Sequence, residues 1–217
     1  MTIVDLSHAF GNGTVTYPGL PAPVITDHLT REASRERYSP GYEFQIGRIE
    51  MVSNTGTYLD TPFHRYADGH DLAGLDLARV ADVPGLLIDA TRADAAPVSL
   101  LDGLDVSGRA VLFHTGWDRH WSTERYGETP HPYLEVAVAE ALVAGGAAVV
   151  GIDSVNIDDT RGGERPIHSV LLAAGLPIVE HLTGLGQLAG RAFAFHAAPP
   201  AVTGMGTFPV RAYAVVR

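Results

Sequence analysis

A polar stretch over residues 53–64 carries the densest set of side chains that can do chemistry. It reads Ser-Asn-Thr-Gly-Thr-Tyr-Leu-Asp-Thr-Pro-Phe-His and follows a predicted strand. Gly56 and Pro62 indicate a loop with fixed backbone geometry, in which Asp60 and His64 can converge. A carboxylate beside an imidazole suits either general acid–base catalysis or metal ligation. On spacing alone, the pair also fits a capped turn with a solvated aspartate and a packing histidine.

A second group of candidates lies further along the chain. His168 falls at the predicted start of a helix, and Glu180 at the predicted end of a strand. The carboxyl ends of strands are where α/β proteins usually place their sites. Asp153 also follows a predicted strand, but alone it is more typical of a cap or a turn. We interpret the pair Asp158-Asp159 in the same way, as a cap or as solvated loop charges.

The elements that must position these residues alternate between helices and strands. The clearest predicted helix spans 134–144, where apolar residues share one face and two glycines end it. A second short helix is predicted over 169–174, and an exposed, charged excursion over 31–43. Short apolar runs predict strands over 46–53, 85–89, 110–114, 147–152, 176–179, 193–196 and 212–216. A helix followed by glycines and an apolar strand is typical of a parallel sheet, so we predict one α/β domain over residues 1–217.

Composition narrows the classes of function. The chain has 217 residues, a formal net charge of −10 and no cysteine. Disulfides, cysteine-based zinc sites and a thiol nucleophile are therefore excluded. The acidic surface disfavours nucleic acid, and no apolar run approaches the roughly 20 residues of a membrane span. The first residues show no signal-peptide pattern, so we expect a cytoplasmic protein that acts on a small molecule.

The motifs resemble those of the family of cyclases and kynurenine-formamidase-like, isatin-hydrolase-like metal-dependent hydrolases. That family has a loop motif H-x-G-T-H-x-D-x-P-x-H and, downstream, a His followed twelve residues later by a Glu. Five fixed positions of the loop motif match, namely Gly56, Thr57, Asp60, Pro62 and His64. His168 and Glu180 have the downstream spacing. Other landmarks agree in order: Asp5-Leu6-Ser7-His8, Tyr17-Pro18-Gly19, Thr115-Gly116-Trp117, Gly151-Ile152-Asp153 and Pro209-Val210-Arg211-Ala212.

The resemblance implies a swivelling β/β/α fold with a mixed sheet and flanking helices, assembled as a homodimer or homotetramer. It also implies hydrolysis of a C–N bond in a small formyl-amide or cyclic amide. The last motif histidine, here His64, would be the general acid–base. Tyr17, Phe63 and Trp117 are candidates for substrate contacts, although core packing explains aromatic residues equally well.

One departure from the family motif concerns the metal. Asn54 and Tyr58 stand where the family has its two leading histidines, and neither is a good zinc ligand. We therefore expect at most one ion, Zn²⁺ or Mn²⁺. The remaining ligands are Asp60, His168 and Glu180. In this interpretation His64 moves the proton, and Tyr58 and Asn54 donate hydrogen bonds to a developing oxyanion.

Two alternatives stay open. Without a metal, Asp60, His64 and Glu180 form a proton-transfer set suited to cyclisation or isomerisation of a small metabolite. In the second alternative, the protein is a catalytically silent family member that binds a small molecule. The replacement of the two motif histidines favours this alternative. Retention of four ionisable groups argues against a silent site, because burying them serves no purpose in a dead one.

Overall fold

The computed structural model describes residues 1–216 and contains one large sheet, two small ones and three α-helices. The strands are β1 (Thr2–Asp5), β2 (Val24–Leu29), β3 (Ile46–Glu50), β4 (Tyr58–Asp60), β5 (Val83–Asp89), β6 (Ala95–Ala96), β7 (Ala110–His114), β8 (Tyr133–Leu134), β9 (Val149–Ile152), β10 (Ile178–Glu180), β11 (Phe193–His196), β12 (Thr207–Pro209) and β13 (Tyr213–Val216). The helices are α1 (Arg31–Ser34), α2 (Val136–Ala144) and α3 (Pro166–Ala173). In residues 1–216 no helix is long and apolar enough to span a membrane.

The large sheet mixes parallel and antiparallel strands in the order β1-β13-β11-β5-β7-β9-β10-β4-β12. Its middle, β5-β7-β9-β10, is parallel. Antiparallel strands β11 and β4 flank that middle on either side. An isolated bridge between Ser7 and Leu182 links the chain after β1 to the chain after β10, so the sheet curls on itself. The predicted α/β fold with a mixed sheet and flanking helices is confirmed.

The two faces of the sheet bury separate cores. Along β7, Val111 and Phe113 point into the core under α2 and α3. Leu112, between them, points into the second core, which the curled strands and the loops close. Both faces of the sheet are therefore buried. This explains why the central strands are continuous apolar runs rather than an alternation of apolar and polar residues.

One predicted loop contains a strand that positions the site. The stretch 53–64 was expected to be a loop, but its residues 58–60 form β4, which pairs with β10 on one side and β12 on the other. All three residues of β4 are buried. A three-residue strand that ends in an aspartate has no apolar run to reveal it, and only its two neighbours make it a strand.

Strands β2 and β3 form a hairpin apart from the large sheet, which we call the hairpin arm (residues 24–50). Nearly every residue of the two strands is exposed. The connection between them includes α1 and is mostly exposed, which confirms the predicted excursion over 31–43. The arm carries exposed apolar side chains: Val24, Ile25, Tyr38, Tyr42, Phe44, Ile46 and Ile49.

Candidate active and metal site

Three neighbouring strands and one helix bring the candidate residues together. In the β4–β10 pair, Tyr58 lies opposite Glu180. On the other side of β4, Thr207 of β12 lies opposite Asp60. His168 is the third residue of α3, in its first turn, as the sequence predicted. The sheet thus gathers side chains that are more than 100 residues apart in the chain.

His168 is buried between carboxylates on both sides of its ring. Its Nε2 lies 3.8 Å from Asp60 Oδ2 and 3.6 Å from Glu180 Oε1. Its Nδ1 is hydrogen-bonded to Asp158 Oδ2 at 2.6 Å. Burial alone would lower the pKa of His168, but the charge of Glu180, the hydrogen bond to Asp158 and the nearby Asp60 outweigh it and raise the pKa to about 10. The proton on His168 balances the charge of the buried carboxylates, and a cation bound at Nε2 would take the place of that proton.

Asp60 is fully buried, and its two oxygens have different surroundings. Oδ1 accepts a hydrogen bond from the Thr207 hydroxyl, whereas Oδ2 has no hydrogen-bond partner. Burial raises the pKa of Asp60, but interaction with His168 and the charge of His64 more than offset this, and the pKa is lowered. Oδ2 faces His168 at 3.8 Å but accepts no hydrogen bond, so it marks a place where a bound cation would be stabilised.

Glu180 is buried, and both of its oxygens are held. Oε1 accepts the backbone N–H of Ile157 at 2.7 Å and also faces His168, while Oε2 accepts the Tyr58 hydroxyl at 2.8 Å. Burial raises the pKa of Glu180 to about 7 despite the opposing charge of His168. A carboxyl with this pKa can exchange a proton near neutrality.

A hydrogen-bonded chain behind Glu180 fixes the orientation of Tyr58. The Tyr58 oxygen lies 3.2 Å from His181 Nε2, and His181 Nδ1 lies 2.8 Å from the Tyr126 hydroxyl. Burial lowers the pKa of His181 to about 3, so this ring is neutral. With the Tyr58 proton donated to Glu180, the consistent order of donation is Tyr126 to His181, His181 to Tyr58, and Tyr58 to Glu180.

These hydrogen bonds give Tyr58 a role different from the predicted one. Its pKa is raised well above 10 by burial and by the charges of Glu180 and Asp60, so it stays a phenol. Its single proton is already donated to Glu180, so it positions that carboxylate and has no proton left for an oxyanion. Asn54 interacts with the Tyr58 side chain and accepts a hydrogen bond from the Ser53 hydroxyl at 3.1 Å.

His64 lies at the open side of the buried cluster. Its side chain is 36% exposed, while Asp60 beside it is fully buried. Its Nδ1 is 2.9 Å from the Thr207 oxygen but 3.9 Å from Asp60 Oδ1, too far for a direct hydrogen bond. Its ring centre is 6.1 Å from that of His168. A partly exposed imidazole beside a dry carboxylate cluster is well placed to exchange protons with a bound substrate.

The donor atoms of this cluster suit a small divalent cation. One ligand atom from each of Asp60, His64 and His168 lies within 4.8 Å of the others, and Glu180 Oε1 lies 3.6 Å from His168 Nε2. Donors about 2.0–2.2 Å from a tetrahedral ion are about 3.4 Å apart, close to the separations measured around His168 Nε2. Asp158 holds the other nitrogen of His168, as carboxylates do for metal-bound histidines. Asp60 and His168 of the predicted ligand set thus lie together, and the third member of this compact group is His64. Glu180, the other predicted ligand, adjoins the group through His168.

The aromatic candidates for substrate contacts are not equivalent. Phe63 is partly exposed and adjoins His64. Trp117 is buried, and its indole N–H donates to the Tyr126 backbone oxygen at 3.0 Å. Tyr17 packs against the same small cluster. Trp117 therefore supports Tyr126, the outermost member of the hydrogen-bonded chain, which is the core-packing role that the sequence left open.

The sequence did not indicate three residues that hold the site. Asp158 is buried, caps α3 and orients His168, so its interpretation as a solvated loop charge is wrong and its interpretation as a cap is confirmed. A carboxylate ten residues before a helical histidine was the available signal. His181 was visible only as the neighbour of Glu180. Thr207 lies in a Gly-Thr-Phe-Pro segment with no chemical signature, and only the β4–β12 pairing reveals it.

Several known proteins are similar to this chain in sequence or in fold. The kynurenine formamidase of Bacillus cereus strain ATCC 14579 is 27% identical over 210 residues, which cover 96% of this chain and 95% of the relative. An isatin hydrolase solved with the product analogue thioisatinate has a TM-score of 0.83 at 20% identity, covering 99% of this chain and 92% of that one. A potential metal-dependent hydrolase with cyclase activity has a TM-score of 0.76 at 24% identity, covering 98% of both chains.

A family model gives the assignment directly. Residues 4–159 match the model described as "Putative cyclase". This match spans more than half of the chain and contains the whole 53–64 stretch with Asp60 and His64. The solved structures, all below 25% identity, share the fold. The chain belongs to the cyclase family.

Proposed function

We propose that this protein is a hydrolase that cleaves the C–N bond of a small formyl-amide or cyclic amide, with one divalent metal ion. The observation that carries the proposal is the buried cluster of Asp60, His168 and Glu180, in which one Asp60 oxygen accepts no hydrogen bond and the partly exposed His64 lies at the open side. Relatives named kynurenine formamidase and a structural neighbour named isatin hydrolase support the same reaction class.

The chemistry divides between the ion site and His64. Asp60, His168 and Glu180 would hold the ion, which supplies Lewis-acid activation of the carbonyl and of water. His64 accepts a proton from the attacking water, whose oxygen bonds to the carbonyl carbon. The C–N bond then breaks, and His64 returns the same proton to the leaving nitrogen. The histidine ends in its starting state, so no further acid or base is needed.

The proposal of one ion rather than two rests on Tyr58. The phenol fills the space beside Glu180 and donates its proton to Oε2, which leaves only Oε1 directed towards His168. A neutral phenol with a strongly raised pKa does not compete as a metal ligand. The chain from Tyr126 through His181 holds the phenol in that place.

A second candidate function is metal-independent acid–base cyclisation or isomerisation. One observation favours it: burial raises the pKa of Glu180 to about 7, where a carboxyl serves equally as an acid or a base. Chelation separates the two functions. Turnover that survives exhaustive removal of metal supports the cyclase or isomerase, and turnover that requires metal supports the hydrolase.

We also propose that the protein is a homo-oligomer, with the hairpin arm in the interface. The arm exposes apolar side chains on a two-stranded sheet that its own chain leaves uncovered. Contiguous exposed apolar side chains of this kind are typical of surfaces that a partner covers.

The experiment that tests the function measures metal and turnover together. Protein purified without an affinity tag should contain about one equivalent of Zn or Mn by elemental analysis, because a set of three protein ligands holds a single ion. Glu180→Gln should lose the ion, and Glu140→Gln, an exposed change on α2, should keep it. His64→Ala should keep the ion and lower kcat on a formyl-anilide by about 10²–10⁴-fold. Unchanged turnover in His64→Ala contradicts the proposed mechanism.

A further inference from the structure

The Thr207 hydroxyl bridges His64 and Asp60. Thr207 is buried, and its hydroxyl donates to Asp60 Oδ1. The same oxygen lies 2.9 Å from His64 Nδ1. The distance from His64 Nδ1 to Asp60 Oδ1 is 3.9 Å, too long for a hydrogen bond. Within residues 1–216, the two side chains are therefore linked by hydrogen bonds only through the Thr207 hydroxyl.

The single proton of the Thr207 hydroxyl determines which ring nitrogen of His64 carries a hydrogen. A threonine hydroxyl has a single proton, and Thr207 gives it to the carboxylate. Its oxygen can then only accept from His64, so Nδ1 of the ring must carry a hydrogen. In a neutral imidazole the other nitrogen, Nε2, then has the free lone pair.

The backbone around Thr207 leaves the bridge little freedom. Gly206 accepts hydrogen bonds on its carbonyl oxygen from the Thr61 backbone N–H at 2.7 Å and from the Thr61 hydroxyl at 3.0 Å. A Cβ on Gly206 would overlap the backbone of His64, so the two segments are in the closest contact that a side-chain-free residue permits. Thr207 is β-branched and sits in a strand, which restricts its χ1 rotation.

We propose that Thr207 is a positioning residue that holds His64 in the Nδ1–H tautomer, with Nε2 unprotonated and available as the base. The proposal rests on the amide-hydrolase function above, in which His64 takes a proton from water. Thr207 acts through His64 and through its hydrogen bond to Asp60. Loss of its hydroxyl therefore changes the ring's tautomer and orientation.

The direct test is the tautomer of His64 by NMR, on full-length protein labelled with ¹⁵N at histidine and loaded with Zn²⁺. His64→Gln assigns the signal. The wild type should show the Nδ1–H form. Thr207→Val, which keeps the shape and removes the hydroxyl, should shift the ring towards the Nε2–H form that an unconstrained histidine side chain prefers. Thr207→Ser, which keeps a hydroxyl, should restore Nδ1–H.

Two controls separate this role from a merely structural one. Thr55→Val removes another buried hydroxyl, which donates to the Val52 backbone oxygen and not to the bridge, and it should leave the tautomer unchanged. Elemental analysis should show equal zinc in the Thr207 variants and the wild type. On a formyl-anilide, Thr207→Val should lower kcat by about ten- to hundred-fold and change KM by less than about two-fold.

Either of two results overturns the proposal: an Nε2–H tautomer in the wild type, or an Nδ1–H tautomer that persists in Thr207→Val. If Thr207→Val does not fold, the wild-type spectrum alone still decides. Absence of any turnover on amides refutes the proposed function but leaves the tautomer measurement intact. The two failures are therefore distinguishable.

Discussion

At the residue scale, the environment of His168 explains why one imidazole sits among three carboxylates. Asp158 fixes one nitrogen of the ring, and Asp60 and Glu180 face the other at distances too long for hydrogen bonds. A ring held in this way presents its Nε2 in one direction only. The orientation of His168 thus depends on Asp158, a residue that need not contact the ion.

That dependence predicts the effect of changing Asp158. Asp158→Asn keeps the size of the side chain but removes the charge that orients His168 and raises its basicity. We expect the affinity for Zn²⁺ to fall by about 10–100-fold, measured by competition with a chelating dye. Asp159→Asn alters a neighbouring, partly exposed carboxylate that pairs with Arg161, and it should leave the affinity unchanged. Equal affinity in Asp158→Asn would show that the hydrogen bond to His168 has no bearing on metal binding.

His8 gives a residue-scale prediction on pH. Its ring stacks on Trp121 at 4.1 Å, and burial lowers its pKa from 6.5 to about 4 despite the opposing charge of Asp118. The unfolded chain therefore binds a proton that the folded protein resists, and stability is lost as the pH falls from about 6.5 to about 4.

His8→Phe preserves a stacked ring that cannot be protonated. Between pH 7 and pH 4.5, its Tm should fall less than that of the wild type in a thermal melt. The variant should still lose some stability through the other buried histidines, so the two slopes of Tm against pH are compared. Parallel slopes for the two proteins would mean that His8 is not protonated on unfolding.

At the element scale, Gly206, just before β12, lies in close contact with the backbone of the turn after β4. Gly206→Ala would place a methyl group against the backbone of His64, where no flexible side chain can give way. We expect a loss of about 1–3 kcal/mol in the free energy of unfolding, measured by urea denaturation, and displacement of His64. Gly11→Ala is the matched control, since a Cβ there meets nothing within 4 Å.

The helices and strands also show how much of the structure could be predicted from the sequence. The strand over 193–196 was predicted with its exact bounds, and α2 within two residues, because apolar runs and paired glycines mark them. Asp60, His64, His168 and Glu180 were singled out as candidates by their types and spacing, and their roles were predicted from the resemblance to the family motif. Thr207 and β4 were not, because a hydroxyl in a short segment and a three-residue strand gain their roles only through pairing with distant strands.

At the scale of the whole molecule, we expect charged substitutions in the hairpin arm to dissociate the proposed homo-oligomer. Ile25→Asp with Ile49→Asp places two charges on paired strands whose side chains are exposed within the chain. We expect the oligomer to dissociate to a monomer with an unchanged circular dichroism spectrum, measured by light scattering after size exclusion. Leu77→Asp, an equally exposed change outside the arm, should leave the mass unchanged. A monomeric wild type would contradict the proposed homo-oligomer.

The bridge from Asp60 to Thr207 joins residues that are 147 positions apart in the chain. During synthesis on a ribosome, most of the polypeptide therefore emerges before the base, its orienting hydroxyl and its carboxylate can meet. Contacts between such distant segments form slowly, because the intervening loop must be closed first. A nascent fragment that stops before β12 contains the central strands but lacks Thr207, so we expect the complete proposed site to form only after β12 has been made.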